Sequence, residues 1–481
     1  MPENAGGQAG AISSARTFGP ADQEAFARLS GDRNPLHMDA MRARRLMFGQ
    51  QVVHGMHLVL WALDQGLAQA DHPVELRGLR VEFRRPLLLG REVGIQVLRA
   101  GPEAVEMELE AGGVKLAWLR AELAARSGQG AGPLPTWLKA RPCRELDAGQ
   151  AAGDQGELDL ALDPGLCQDL FPCLATRLPP DQIAALLATS RLVGMQCPGL
   201  HSVYGGLELA SQPGPAAQAL LSYQVTRHEP LFSLLLIEVR AAGLQGTIKA
   251  FLRPEPRRQA SLDQVGRLVE PGEFQGLRCL VIGGSRGLGE VLAKLVAAGG
   301  GEVALTYHQG AEEAQAVAAE INRAGGQARC LAWDVLHPTS AQASGLNGWR
   351  PNSLAYFATP FIAAGQRGEF SLALFRHFCA YYLGGFLAAL ASLRGDAQTV
   401  LRVLYPSSVF VEEPPGDLLE YAAAKAAGEE VCRQLGCQAG LRILAPRLPK
   451  LATDQTASFL PADPPEPAPQ LVAALRALQG L

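Results

Sequence analysis

Two short stretches of the chain hold residue types spaced for proton transfer, and a third holds glycines spaced for a nucleotide. The first stretch, SGDRNPLHMD, sets Asp32 and His37 on either side of Asn34 and Pro35. An aspartate and a histidine on one loop can share a water. One takes its proton, and the other protonates a substrate carbon or a leaving hydroxyl. Alone, Asp32 is a good turn or cap residue and His37 an ordinary loop histidine; the whole string points to chemistry. The second stretch is YPSSVFVEEPPGDLLEYAAAK. Tyr421 and Lys425 stand one helical turn apart and share a face. A neighbouring ammonium favours phenolate, so it should lower the Tyr421 pKa and make that residue a usable proton donor. Ser408, at the end of the strand-like RVLYPSS, could hydrogen-bond a substrate carbonyl. The third stretch, IGGSRGLGE, places Gly283, Gly287 and Gly289 between a buried strand and a helix. Glycines there let the backbone approach a pyrophosphate, and the helix N-terminus faces it.

With the glycine turn and the Ser408–Tyr421–Lys425 set together, the residues from about Phe274 to Leu481 resemble the short-chain dehydrogenase/reductase family. The resemblance implies that Tyr421 donates the proton, Lys425 also holds the nicotinamide ribose, and Ser408 orients the carbonyl. The implied cofactor-binding residues are Gly283, Ser285, Arg286, Gly287, Leu288, Gly289, Asp334, Val335, Ala358, Tyr421, Lys425 and Thr453. Asp334 is the implied adenine contact. The second strand of this region ends in LTYHQG, with no acid to bind a free ribose 2′-hydroxyl. Arg286 can instead meet a 2′-phosphate, so NADPH is expected over NAD. Three departures stand out. Tyr381 occupies the place of the family's relay asparagine. The short polar stretch from Asp334 to Ala358 leaves room only for a reduced helix. The final helix, LVAALRALQG, is where the family adds another strand.

SGDRNPLHMD followed by FGQQVVHGMH is similar to the MaoC-like, R-specific enoyl-CoA hydratases, over roughly Ala15 to Ala125. The resemblance implies a hot-dog fold, Asp32 and His37 as the catalytic pair, and Asn34 with Pro35 holding their loop. It also implies the Gly55 amide as donor to the thioester carbonyl. A helix N-terminus suits a developing enolate oxygen. Some relatives carry a serine on the central helix. Residues 56–70 hold neither Ser nor Thr, so that contact is absent or comes from elsewhere. His54 and His57 read as structural.

These residues need elements to position them. A helical stretch and several strand-like runs (LRGLRVEFRRPL, REVGIQVLRAG, AVEMELEAG, VKLAWLRAEL) predict a sheet wrapped round a helix over residues 1–130. Residues 131–256 repeat that order, from PPDQIAALLATSRLVGMQ to GTIKAFLRP, without the Asp-x-Asn-Pro-x-His string. His201 and Ser202 read there as packing or capping residues, so this segment is expected to be a non-catalytic partner hot dog. Residues 273–481 alternate strand and helix, the pattern of a doubly wound Rossmann-type parallel sheet. The fold class is therefore two tandem α+β hot dogs followed by an α/β domain. Linkers are expected from Ala125 to about Gly156, and from Arg253.

Length and composition agree. The chain has 481 residues, 48% hydrophobic and 19% charged, with a mean hydropathy of +0.05. At about 150 residues per domain this suits three domains. The net charge of −4 lacks the basic bias of a nucleic-acid binder. The N-terminal residues form no apolar run, and the uncharged stretch from Phe378 to Leu393 falls short of the roughly 20 residues of a membrane span, so a buried helix is expected there. Nine cysteines without a CxxC pair suggest reduced thiols in a cytoplasmic protein and no metal site. The expected activity is bifunctional. It combines an NADPH-dependent 3-oxoacyl-thioester reductase with an (R)-3-hydroxyacyl-thioester dehydratase or enoyl hydratase of fatty-acid-type metabolism. The substrate would be an acyl-CoA or acyl-carrier-protein thioester, and a homodimer is compatible with the sequence. The rival readings are a hydratase with a degenerate nucleotide-binding domain, and a non-enzymatic scaffold.

Overall fold

The computed structural model describes residues 12–68, 70–126, 133–212, 219–339, 342, 345–393, 400–459 and 463–480. It divides into two compact units, one of Met1–Glu255 with Ser458–Pro461, the other of Pro256–Ala457 with Ala462–Leu481.

The first unit is built on one ten-stranded sheet. Its first half holds β1 (Ile12–Thr17), β2 (Val74–Phe83), β3 (Glu92–Ala100), β4 (Ala104–Ala111) and β5 (Val114–Ala125). The second half holds β6 (Gln155–Asp159), β7 (Ser202–Ser211), β8 (Leu220–Glu229), β9 (Leu234–Ala241) and β10 (Leu244–Leu252). The order is β1-β3-β4-β5-β2-β7-β10-β9-β8-β6, so the two halves meet where β2 pairs antiparallel with β7, from Gly78 opposite Ala210 to Glu82 opposite Gly206. A β-carbon on Gly206 would lie 2.9 Å from the Val81 carbonyl oxygen, so a glycine suits the seam. Helix α1 (Pro20–Ser30) ends on Gly31 in the left-handed conformation, φ 77°. Helix α2 (Gly55–Gly66) is apolar almost all round and buried from Met56 to Asp64, as a helix enclosed by a sheet must be. Its counterpart α3 (Pro180–Arg191) belongs to the second half. Gln182 of α3 bonds both backbone groups of Leu76 on β2 (2.8 and 3.1 Å), tying the second half's helix to the first half's strand. One apolar core runs through both halves.

Two edge strands, β1 and β6, were not expected from sequence. β6 lies beside the segment read as a linker, which is ordered where it is described. Arg144 pairs with Asp154 through two bonds (3.0 and 3.1 Å), and Asp147 caps a short helix, Ala148–Ala152. The other expected linker, from Arg253, contributes Leu262 and Val265 to the core of the second unit.

The second unit holds a six-stranded parallel sheet, ordered β13-β12-β11-β14-β15-β17. The strands are β11 (Arg278–Ile282), β12 (Glu302–Tyr307), β13 (Gln327–Ala332), β14 (Ser353–Tyr356), β15 (Leu401–Leu404) and β17 (Leu441–Leu444); β16 (Ser407–Ser408) and β18 (Arg447–Leu448) form a separate pair. This is the doubly wound order. Helix α4 (Gly287–Ala298) opens after the glycine turn, and α5 (Ala311–Arg323) follows β12. The expected shortened helix between Asp334 and Ala358 lies partly outside the described residues. Next come α6 (Leu372–Cys379), a wide turn over Ala380–Gly385, and α7 (Phe386–Leu393). Contrary to expectation, this stretch is only half covered. Phe378, Tyr382 and Phe386 face the core, while Leu372 and Leu387 are exposed. Leu372–Leu393 is long and apolar enough, by length and composition, to cross a membrane, and 28% of it is buried. Helix α8 (Leu419–Leu435) carries Tyr421 and Lys425, and α9 (Pro467–Gly480) packs its apolar face on the core.

Candidate active sites

The loop after α1 presents Asp32 and His37. Asn34 fixes it from within, since its side chain accepts from Leu36 N (3.0 Å) and caps a single turn that starts at Pro35. Asp32 is 2% exposed. Its Oδ1 accepts from Asn34 N (3.2 Å) and its Oδ2 from Ser190 Oγ (2.8 Å). Burial raises its pKa, against the pull of the His37 charge and the Ser190 hydroxyl. His37 Nδ1 meets the Val52 carbonyl at 2.8 Å. A carbonyl only accepts, so Nδ1 carries the proton and Nε2 keeps its lone pair. Burial lowers the His37 pKa, although Asp32 opposes it, which favours the neutral imidazole. His54 stacks on His37 with centroids 3.9 Å apart.

The side-chain ligand atoms of Asp32, His37 and His54 lie within 4.8 Å of one another. Both nitrogens of His54 are engaged, with the Asp32 carbonyl (3.0 Å) and Gln23 Oε1 (3.2 Å). Asp32 and His37 Nε2 therefore remain to work together, a pair suited to a shared water rather than a three-ligand cation. Gly55 is the first residue of α2 and directly follows His54, so its amide lies at the same end of the helix. His57 sits apart in an aromatic cage of Phe18, Phe26 and Phe171, and burial lowers its pKa to about 3.

The second half of the sheet braces this loop, and sequence reasoning missed those contributions. Ser190, near the end of α3, supplies the hydroxyl that residues 56–70 lack. Asn34 Nδ2 donates to the carbonyls of Gly194 (2.7 Å) and Gly199 (3.1 Å). A β-carbon on Gly194 would lie 2.3 Å from Asp32 Oδ1, so only glycine allows the approach. Cys143 Sγ bonds the same Gly194 carbonyl (3.1 Å), and burial pushes its thiol up to about 12. The signal was ATSRLVGMQCPG, legible as a helix and turn but not as a partner of Asp32. His201 stands apart from the pair. Its Nε2 meets Glu145 Oε1 at 3.0 Å, and Ser202 is buried at the start of β7. Glu145, His201 and Glu255 form a second group close enough to hold a cation.

In the second unit the glycine turn has the shape a nucleotide needs. Gly283 has φ 79°, its N–H donates to Thr306 Oγ1 (3.0 Å), and a β-carbon there would lie 2.9 Å from Ala358 N. A β-carbon on Gly289 would lie 2.3 Å from the Gly283 carbonyl oxygen, while at Gly287 (φ 59°) it would meet nothing within 4 Å. The turn is tight on the protein side and open beyond Gly287, so it fits a pyrophosphate. Ser285 is buried and Leu288 partly so. Arg286 caps α4 and stands 3.7 Å from Asp454. Asp334 is occupied within its own loop, accepting from Leu336 N and His337 Nδ1 (2.9 Å each). Val335 is buried, and the Thr453 N–H donates to Thr456 Oγ1 (3.0 Å).

Ser408, Tyr421 and Lys425 come together beneath the wide turn. Ser408 ends β16 and its Oγ accepts from Phe410 N (3.2 Å). The expected lowering of the Tyr421 pKa does not occur. Burial raises it, and the Ser408 hydroxyl only partly offsets this. Burial also brings Lys425 from 10.5 to about 7, which weakens the ammonium on which that expectation rested. Lys425 Nζ donates to the Pro406 carbonyl (2.7 Å) and faces the rings of Tyr382 (4.0 Å) and Tyr405 (5.0 Å). The wide turn frees two carbonyls. That of Tyr381 accepts from Tyr356 Oη (2.7 Å) and that of Tyr382 from Tyr405 Oη (3.1 Å).

Comparison with known proteins agrees with this division. A "MaoC like domain" description matches residues 3–117, and a "short chain dehydrogenase" description matches residues 278–344. An (R)-specific enoyl-CoA hydratase of Aeromonas caviae is 38% identical over 85 residues, 17% of this chain and 62% of that protein. The peroxisomal multifunctional enzyme type 2 of Drosophila melanogaster is 34% identical over 82 residues, 17% of this chain and 14% of that protein. The match therefore spans less than two thirds of either relative. Among solved structures, a short-chain dehydrogenase of Burkholderia cenocepacia in complex with NADP is 22% identical (TM-score 0.36; 43% of this chain, 91% of that one). A dehydrogenase/reductase of Sinorhizobium meliloti is 26% identical (TM-score 0.36; 45% and 93%). The chain thus carries a MaoC-like domain in its first unit and a short-chain dehydrogenase domain in its second.

Proposed function

We propose that the chain is a bifunctional acyl-thioester enzyme of fatty-acid type, joining an (R)-3-hydroxyacyl-thioester dehydratase/enoyl hydratase to an NADPH-dependent 3-oxoacyl-thioester reductase. The observation that carries the hydratase half is the Asp32–His37 pair, Asp32 buried and His37 half-buried, held by Asn34 and Ser190, with one free imidazole lone pair. In hydration, this pair takes a proton from water, the hydroxide adds to C3 of the enoyl thioester, and a proton is delivered to C2. The Gly55 amide would hold the thioester oxygen meanwhile. Residues 131–256 would be a second hot dog that braces the loop and lacks its own acid and base.

In the reductase half, the glycine turn would hold the pyrophosphate of NADPH, Arg286 the 2′-phosphate, and Lys425 the ribose. NADPH bound there supplies a hydride. Tyr421 would give a proton to the substrate oxygen, with Ser408 orienting that carbonyl. The two activities share the 3-hydroxyacyl species. Two assays on the full chain test the proposal: crotonyl-CoA hydration, abolished by Asp32→Asn, and NADPH oxidation with acetoacetyl-CoA, abolished by Tyr421→Phe. Each change removes a proton-transfer group, an effect of about 10²- to 10⁴-fold. Arg286→Ala should raise KM for NADPH far more than for NADH; equal effects count against the 2′-phosphate contact.

A second reading keeps the hydratase and makes the reductase a nucleotide binder. It is favoured by the replacement of the relay asparagine with Tyr381, by Tyr356 capping that residue's carbonyl, and by Asp334 being bound to His337. Hydration without acetoacetyl-CoA reduction would select it.

A further inference from the structure

The second half of the antiparallel sheet holds a buried cation next to the residues that brace the Asp32–His37 loop. Arg253 follows β10 and is 3% exposed. Its backbone N–H donates to the His201 carbonyl (2.7 Å) and its Nη2 to that of Leu200. It is therefore anchored to the turn at 199–201 that receives the Asn34 side chain. Its Nε and Nη1 are buried without a hydrogen-bond partner. The acidic residues nearby serve another group, since Glu145 and Glu255 approach His201 Nε2 at 3.0 and 3.9 Å. A guanidinium presents its donors as a rigid fork, and burying two of them without an acceptor is strongly unfavourable unless a ligand supplies one. His37 is within reach of its charge. Burial is the main cause of the low His37 basicity, and the Arg253 charge adds to it; the same charge acts on the Cys143 thiol.

We propose that Arg253 is a substrate-binding residue of the hydratase site, donating one of its two unpartnered N–H groups to the thioester oxygen that gains negative charge as water adds. The inference rests on the hydratase reading above. A cation suits that oxygen because its hold strengthens as charge develops, which speeds the chemical step rather than tightening the ground state. It also gives the non-catalytic half of the sheet a direct part in the reaction.

The test compares full-length wild type, Arg253→Met and Arg253→Lys in the hydration of crotonyl-CoA and of crotonyl-pantetheine, which lacks the nucleotide phosphates. Removing one such donor costs about 10²- to 10³-fold. Arg253→Met should lose that much, mainly in kcat, equally with both esters, and with thermal melting unchanged. Arg253→Lys keeps the charge without the fork and should fall about 10-fold. A loss confined to the CoA ester would place Arg253 on a phosphate and overturn the inference. So would wild-type kcat in Arg253→Met, or a rise in KM alone. Should Arg253→Met not fold, Arg253→Lys decides, and unchanged kcat there overturns the inference. If the wild type does not hydrate crotonyl-CoA at all, the hydratase reading itself fails and the inference with it.

Discussion

Asp32 owes its position as much to the bare backbone of Gly194 as to its hydrogen bonds. Gly194→Ala would press a methyl group onto the carboxylate, at 2.3 Å from Oδ1. Such overpacking costs about 1–3 kcal/mol. A displacement of roughly 1 Å in a catalytic group can lower the rate about 10²-fold. Hydration should fall by that order while acetoacetyl-CoA reduction stays normal; wild-type hydration would show that the close approach is dispensable. Lys425 poses the opposite case, a residue whose burial disfavours its charged form. Its pKa is 10.5 ordinarily and about 7 when folded. Between those values the unfolded chain holds a proton that the folded chain has released, so stability rises with pH across that window and the penalty is full below it. Lys425→Met should melt higher than wild type at pH 7, show less gain on moving to about pH 10, and lose reduction; melting lower at pH 7 would contradict the burial penalty. Asp32, Asn34 and His37 were legible in the sequence because one short loop carries them. Ser190 was not, standing 158 positions from Asp32 with nothing local to mark the bond. The Tyr421 pKa was misjudged because spacing reveals a neighbouring amine but not its burial.

At the scale of elements, helices and inner strands were the legible parts, since their apolar residues repeat with the right period. The edge strands were not. ISSART in β1 and QGELD in β6 are short and carry few apolar residues, so no alternation runs long enough to mark a strand. The half-covered stretch Leu372–Leu393 misled for the reverse reason, being apolar on a face that the described residues leave open. The seam between β2 and β7 yields an expectation of its own. Residues 1–126 alone would expose the paired edge of β2 and deprive Asp32 of Ser190, and Asn34 of its two carbonyl acceptors. That piece should be insoluble or fail to hydrate crotonyl-CoA, whereas 1–255 should hydrate it. A soluble, fully active 1–126 would mean that the second half is not needed.

For the whole molecule, joining the two activities gains only if one enantiomer suits both. An S-hydroxy thioester would place its hydroxyl out of reach of Asp32 and His37, and proximity would then bring no advantage. Full-length Asp32→Asn given acetoacetyl-CoA and NADPH should therefore release the R-3-hydroxyacyl thioester, identified by chiral chromatography after hydrolysis; a mainly S product would leave two unrelated activities on one chain. The continuous ten-stranded sheet has one more consequence, for behaviour on dilution. Where a brace is lent by a separate subunit, the site falls apart as molecules become scarce, and activity per molecule declines with concentration. Here loop and brace are links of one polypeptide, always present one to one. However few copies of the protein a compartment holds, each brings its own scaffold for Asp32.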